Sequence, residues 1–212
     1  MPEDECCGVD ETKVHSSGYR RALWIVVLLN VVYGAIELFG GFLANSQALK
    51  ADALDFLGDG SITFLGLLAI GWSLIWRAKS ALIQGVFLGL LGCWVLVSTV
   101  MKALTDTPVE AGLMGAFAFV ALIVNLVAVV PLLPYKDGDA NMRAVWLFSR
   151  NDAIGNVLVI IAAVLVALTS TRWPDLVVAG MIAGLFIHSA WAIIREAKRD
   201  MKAAQTSSVE GT

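Results

Sequence analysis

Six apolar stretches, each close to the length of a membrane-crossing helix, constrain this chain more than any other feature of its sequence. They run approximately 22–43, 51–76, 81–104, 112–133, 144–168 and 175–194. A helix rises about 1.5 Å per residue, so about 20 apolar residues cross the hydrocarbon core of a bilayer. Backbone groups in lipid must find their hydrogen bonds within the segment, which predicts a helix for each stretch. The expected fold is therefore all-α: a polytopic membrane protein built as a six-transmembrane-helix bundle. Pro131, Pro134 and Pro174 fall at or near span ends, where a missing donor matters least. Of 212 residues 58% are hydrophobic and 16% charged, which excludes an ordinary soluble domain. A formal net charge of −3 gives no reason to expect a nucleic-acid partner.

Lysine and arginine set the expected orientation. With the N-terminus cytoplasmic, the inner side holds eleven of them: Lys13, Arg20, Arg21, Arg77, Lys79, Lys136, Arg143, Arg195, Lys198, Arg199 and Lys202. The outer side holds only Lys50, Lys102 and Arg172, and Arg150 lies within the fifth stretch. Both termini are thus expected in the cytoplasm. Trp24, Trp76, Trp146, Trp173 and Trp191 lie near stretch ends, as an interfacial aromatic belt requires. Residues 1–21 read as a disordered cytoplasmic tail, 22–196 as the six-helix transmembrane domain and 197–212 as a short cytoplasmic tail with no soluble domain following. No signal peptide is visible, and Cys6, Cys7 and Cys93 form no disulfide framework.

The informative residues are the polar ones at membrane depth. Asp55 and Asp59 are four apart in the second stretch and share one helix face. Asp152 enters the fifth stretch from the opposite side and reaches a depth similar to that of Asp59. Intramembrane acids are rare and usually functional. Three together repel until protons or a cation compensate, so Asp55, Asp59 and Asp152 are the candidate ligands of a divalent metal ion. Asp52 reads as a carboxylate at the outer mouth, able to attract cations but expected in water beside Lys50. Glu37, deep in the first stretch, either relays protons or lines the path, or else hydrogen-bonds a neighbouring helix. Asn30 and Asn125 can lend an amide oxygen to the ion, although an interhelical hydrogen bond is the expected role of Asn125. His188 is expected to be packed and hydrogen-bonded away from the acids. Gly85-x-x-x-Gly89 allows a close helix approach, internal or between subunits. Cys6, Cys7 and His15 match no closed metal site and read as part of a plain tail.

Several of these stretches together resemble the cation diffusion facilitator family of metal–proton antiporters. The likeness covers roughly 20–197. It rests on Asn30-Val-Val-Tyr-Gly-Ala-Ile-Glu37-Leu-Phe-Gly-Gly, Asn45-Ser46-Gln-Ala-Leu and Ala51-Asp52-Ala-Leu-Asp55-Phe-Leu-Gly-Asp59, with Asn125, Asn141-Met-Arg143-Ala and Asp152-Ala-Ile-Gly-Asn156 further on. Asp55, Asp59 and Asp152 fall on three ligand positions of the family. The fourth, normally a histidine four residues before the last aspartate, is Phe148 here. The histidine-rich inner loop and the cytoplasmic ferredoxin-like domain are also missing, as in a short, membrane-domain-only member. The resemblance implies export of Zn²⁺ or a similar ion (Cd²⁺, Co²⁺, Mn²⁺ or Fe²⁺) from the cytoplasm in exchange for protons by alternating access. A water, Asn125 or Asn156 would complete the shell. It further implies a homodimer, a bacterial inner-membrane location and no resident cofactor, the metal being cargo.

A non-transporting metal-sensing or partner-binding protein on the same scaffold is the alternative, suggested by Phe148 and the missing domain. An enzyme is not expected. The sequence offers no nucleophile–base pair, phosphate-binding glycine loop or haem-type histidine pair.

Overall fold

The computed structural model describes residues 17–68, 72–105, 107–131 and 140–210; positions 17, 19, 74, 140–151 and 204–210 are described by backbone alone. Six α-helices lie among them: α1 (Ser17–Leu43), α2 (Gln47–Leu68), α3 (Leu74–Ala103), α4 (Ala111–Val129), α5 (Ala140–Thr169) and α6 (Trp173–Glu210). Five of them contain stretches long and apolar enough to cross a membrane. The exception is α2, which carries Lys50, Asp52, Asp55 and Asp59 within 22 residues. Such a helix is stable at membrane depth only where other helices shield it. The packing provides this, because α2 touches each of the other five.

Three helix boundaries differ from the expectations. The second apolar run holds a helix end, since α2 stops at Leu68 and α3 starts at Leu74. Hydropathy does not register the break, because the residues around it are themselves apolar. Ser73 is extended, and its carbonyl accepts from Trp76 N (3.0 Å) and Arg77 N (3.1 Å), which starts α3. Second, α6 continues through the charged residues after Ile194 to Glu210. At 38 residues it is about 57 Å long, so its last turns project beyond a bilayer core. Third, α1 begins at Ser17, inside the expected tail. The rest of that tail, with Cys6, Cys7 and His15, lies outside the described residues.

Small residues set the closest contacts. A Cβ on Gly92 would lie 2.9 Å from Phe186 Cβ and 3.3 Å from the Ala183 carbonyl; one on Gly85 would lie 2.9 Å from Ile194 Cγ1. The glycine pattern of α3 therefore serves internal packing against α6. The main core joins Leu49, Leu88, Val95, Met114, Val159 and Phe186, which come from α2, α3, α4, α5 and α6.

One end of the bundle is tied shut by its loops. Glu110 N donates to the Ala44 carbonyl (2.9 Å), Asn45 Nδ2 to the Pro108 carbonyl (3.0 Å) and Arg172 Nη2 to the Ala103 carbonyl (3.3 Å). Asn45 and Ser170 adopt left-handed backbone (φ 51° and 52°) just after α1 and α5. This turns the chain sharply at each helix end.

Candidate metal centre

Helix α2 presents Asp52, Asp55 and Asp59 at spacings of three and four, along one face. That face meets α5, and Asp152 projects from α5 toward it. One carboxylate oxygen from each of Asp55, Asp59 and Asp152 lies within 4.8 Å of the others. Two oxygens bound to one ion at about 2.1 Å are at most about 4.2 Å apart, so a small rotamer change would close the three on a common centre. All three are only half-buried, because they line a cavity of about 620 Å³. The cavity runs between α2, α3, α5 and α6 to Arg77, Glu196 and Asp200. Its mouth therefore lies at the end of the bundle that carries most of the basic residues, opposite the tied loops.

Asp52 is not a water-exposed carboxylate paired with Lys50. It is 4% exposed. Its partner is Asn156, one turn after Asp152. With the Asn156 amide turned as its neighbours require, its nitrogen donates to Asp52 Oδ1 (3.0 Å) and Oδ2 (2.6 Å), and its oxygen accepts from Asn125 Nδ2 (2.7 Å). Asn156 thus bonds Asp52, and Asn125 bonds Asn156. Lys50 is also buried, with Nζ 4.6 Å from the centroid of the Phe42 ring. Asp52 also neighbours Glu37 of α1, which is fully buried, with neither oxygen meeting a donor from the described protein. Two buried carboxyls in contact require a proton or a cation between them. Asn30 is buried on α1 near Gly60 of α2. His188 is exposed on α6 rather than packed as expected, and the cavity lining includes its neighbour Ser189. The side chain of Phe148 lies outside the described residues.

In the sequence Asp175 marks only the start of the sixth apolar stretch. It is fully buried at the closed end. Its Oδ1 accepts from Ser46 Oγ (2.6 Å) and Ala48 N (2.9 Å), and its Oδ2 from Gln47 N (3.0 Å). Ser46 Oγ in turn accepts from Leu49 N (3.0 Å), and Lys102 Nζ stands 3.8 Å from Asp175 Oδ2. The N-terminus of α2 is capped by its own serine and by a carboxylate 128 residues away. A serine just before a helix is the kind of signal that could have pointed to this cap, whereas its distant partner carries none.

Comparison with known proteins agrees with this architecture. The model of the cation efflux transmembrane domain matches residues 23–201. The chain belongs to the cation efflux family, the cation diffusion facilitators. It is 28% identical over 181 residues to the zinc transporter ZitB of Escherichia coli, covering 78% of this chain and 57% of that protein. It is 24% identical to the cadmium, cobalt and zinc/H(+)-K(+) antiporter of Bacillus subtilis (86% of this chain, 63% of that one). With the metal cation efflux system protein CzcD of Cupriavidus metallidurans the identity is 22% (89% and 63%). The chain thus spans about three fifths of the length of these curated relatives. Membership and the apolar helices make it a multi-pass protein of the bacterial inner membrane.

Proposed function

We propose that this chain exports a divalent metal cation from the cytoplasm in exchange for protons, with Asp55, Asp59 and Asp152 as the ligands. The observation that supports this most is the convergence of three carboxylates from two helices in a cavity open toward one end of the bundle. Positive-inside bias assigns that end to the cytoplasm, so the state described is the one that loads metal. Relatives named as zinc, cadmium and cobalt transporters support the cargo class.

Metal and protons compete for the same carboxylates, so loading one releases the other. Presenting the acids to each side in turn then couples the two gradients. An all-oxygen set is less selective for Zn²⁺ than one containing a histidine nitrogen and also suits Mn²⁺, Fe²⁺ and Co²⁺. Zn²⁺ remains the first choice. Water from the cavity completes the shell, since Asn156 is engaged by Asp52 and Asn125 by Asn156. In this reading Asp52 and Glu37 form a second acidic step beside the path, which holds a proton while the three ligands hold metal.

The test is Zn²⁺ uptake into proteoliposomes driven by a pH gradient. The Asp59→Ala variant is expected to elute as the wild type does on size exclusion and to lose uptake. Wild-type uptake by that variant would overturn the assignment.

A further inference from the structure

The closed end of the bundle holds a buried carboxylate that no step above uses. Asp175 stands at the first turn of α6 and receives the first two free N–H groups of α2 together with the Ser46 hydroxyl. The first N–H groups of a helix carry the positive end of its dipole, so a carboxylate there makes charge-assisted bonds. These bonds cross from one helix to the other, which fixes both the depth and the rotation of α2. Asp55 lies eight residues along that helix and Asp59 twelve, so the same contact sets where these carboxylates stand relative to Asp152. About 12 Å of helix separates Asp55 from this anchor. Beyond the anchor the cavity is lined by Asp55 and Asp59 of α2 and by Phe186, Ser189 and Ile193 of α6.

We propose that Asp175 is a positioning residue for transport: it pins α2 to α6 at the end opposite the cavity, which sets the ligand geometry and keeps that end sealed. The inference rests on the three-carboxylate reading for its functional consequence, but its structural part can be read independently. Alternating access requires the sealed end to open, so the bonds to Ser46, Gln47 and Ala48 must part when the cavity closes. Lys102, 3.8 Å from Asp175, holds the third helix against the same point.

The test reports the seal separately from the chemistry. In a chain with its three native cysteines replaced by serine, Thr99→Cys places a nearly isosteric thiol in α3, one turn before Lys102 and 7% exposed. Ala121→Cys, fully buried in α4, serves as the control. Membrane-impermeant maleimide is applied to proteoliposomes from the side opposite the cavity mouth. With Asp175 present and neither metal nor a pH gradient applied, position 99 is expected to label only slowly and position 121 not at all. Asp175→Ala should raise labelling at position 99 at least tenfold, leave position 121 unlabelled and reduce Zn²⁺ uptake at least tenfold. Asp175→Asn, which keeps one acceptor oxygen, should fall between. Labelling of both thiols would mean loss of the fold rather than of a seal. Unchanged labelling and uptake in Asp175→Ala and Asp175→Asn would also overturn the proposal. Failure of the metal-site reading looks different, because Asp59→Ala would then transport normally whatever the thiols report.

Discussion

Replacing Asp59 with asparagine separates a binding site from a structural cluster, because the two predict opposite changes in stability. The three carboxylate oxygens lie within 4.8 Å of one another. Two full charges at that distance repel by about 3.5 kcal/mol at an effective dielectric constant of about 20. Asp59 takes part in two such pairs, so its charge opposes the metal-free fold by up to about 7 kcal/mol. Proton uptake relieves part of this. If a third remains, about 2 kcal/mol, Asp59→Asn raises the midpoint of thermal unfolding by about 4–8 °C in a chain of this size. The assay is thermal unfolding in detergent, first with a chelator and then with Zn²⁺. Ligand at about one hundred times Kd stabilises the wild type by about 2.7 kcal/mol, and the variant should lose most of that gain. The expected pattern is a variant more stable than the wild type without metal and nearly unresponsive to it. A variant that melts below the wild type with chelator present, or keeps the full response to Zn²⁺, would refute the reasoning.

Other outcomes follow from particular contacts. Gly92→Leu forces a side chain against Phe186 and the Ala183 carbonyl and should destabilise by about 1–3 kcal/mol in chemical or thermal unfolding. Gly184→Ala, with open space around it, should stay within about 0.5 kcal/mol of the wild type. Asn156→Leu removes the donor to Asp52 and the acceptor for Asn125; each buried group left alone costs about 1–3 kcal/mol, while equilibrium dialysis should still find Zn²⁺ bound with unchanged stoichiometry. Phe148→His places a nitrogen four residues before Asp152 on α5, and competition binding should show preference for Zn²⁺ over Mn²⁺ rising about tenfold, equivalent to about 1.4 kcal/mol.

The fold was legible because lipid removes alternatives. Apolar runs of about 20 residues have to be helices, and the periodicity of Asp55 and Asp59, with Asp152 at matching depth, was enough to bring three acids together. What the sequence could not supply were contacts of long range. Asp52 has the spacing of a residue on the same face as Asp55 and Asp59, and that spacing outranked its nearness to the helix start. It was read as wet because helix ends in membranes usually meet water. Here α2 begins inside the protein, where Asp175 supplies the cap that water would otherwise provide. The break between α2 and α3 was hidden because apolar residues flank it on both sides. The continuation of α6 to Glu210 was hidden for the opposite reason, since hydropathy ends where the membrane does but a helix need not.

The central claim is that one metal ion is held by Asp55, Asp59 and Asp152, and locating the ion tests it most directly. Anomalous diffraction at the zinc edge, from crystals grown with Zn²⁺, should give one strong intramembrane peak about 2.0–2.2 Å from an oxygen of each of the three side chains. A peak between Glu37 and Asp52 instead, or no intramembrane peak at saturating Zn²⁺, would contradict the account.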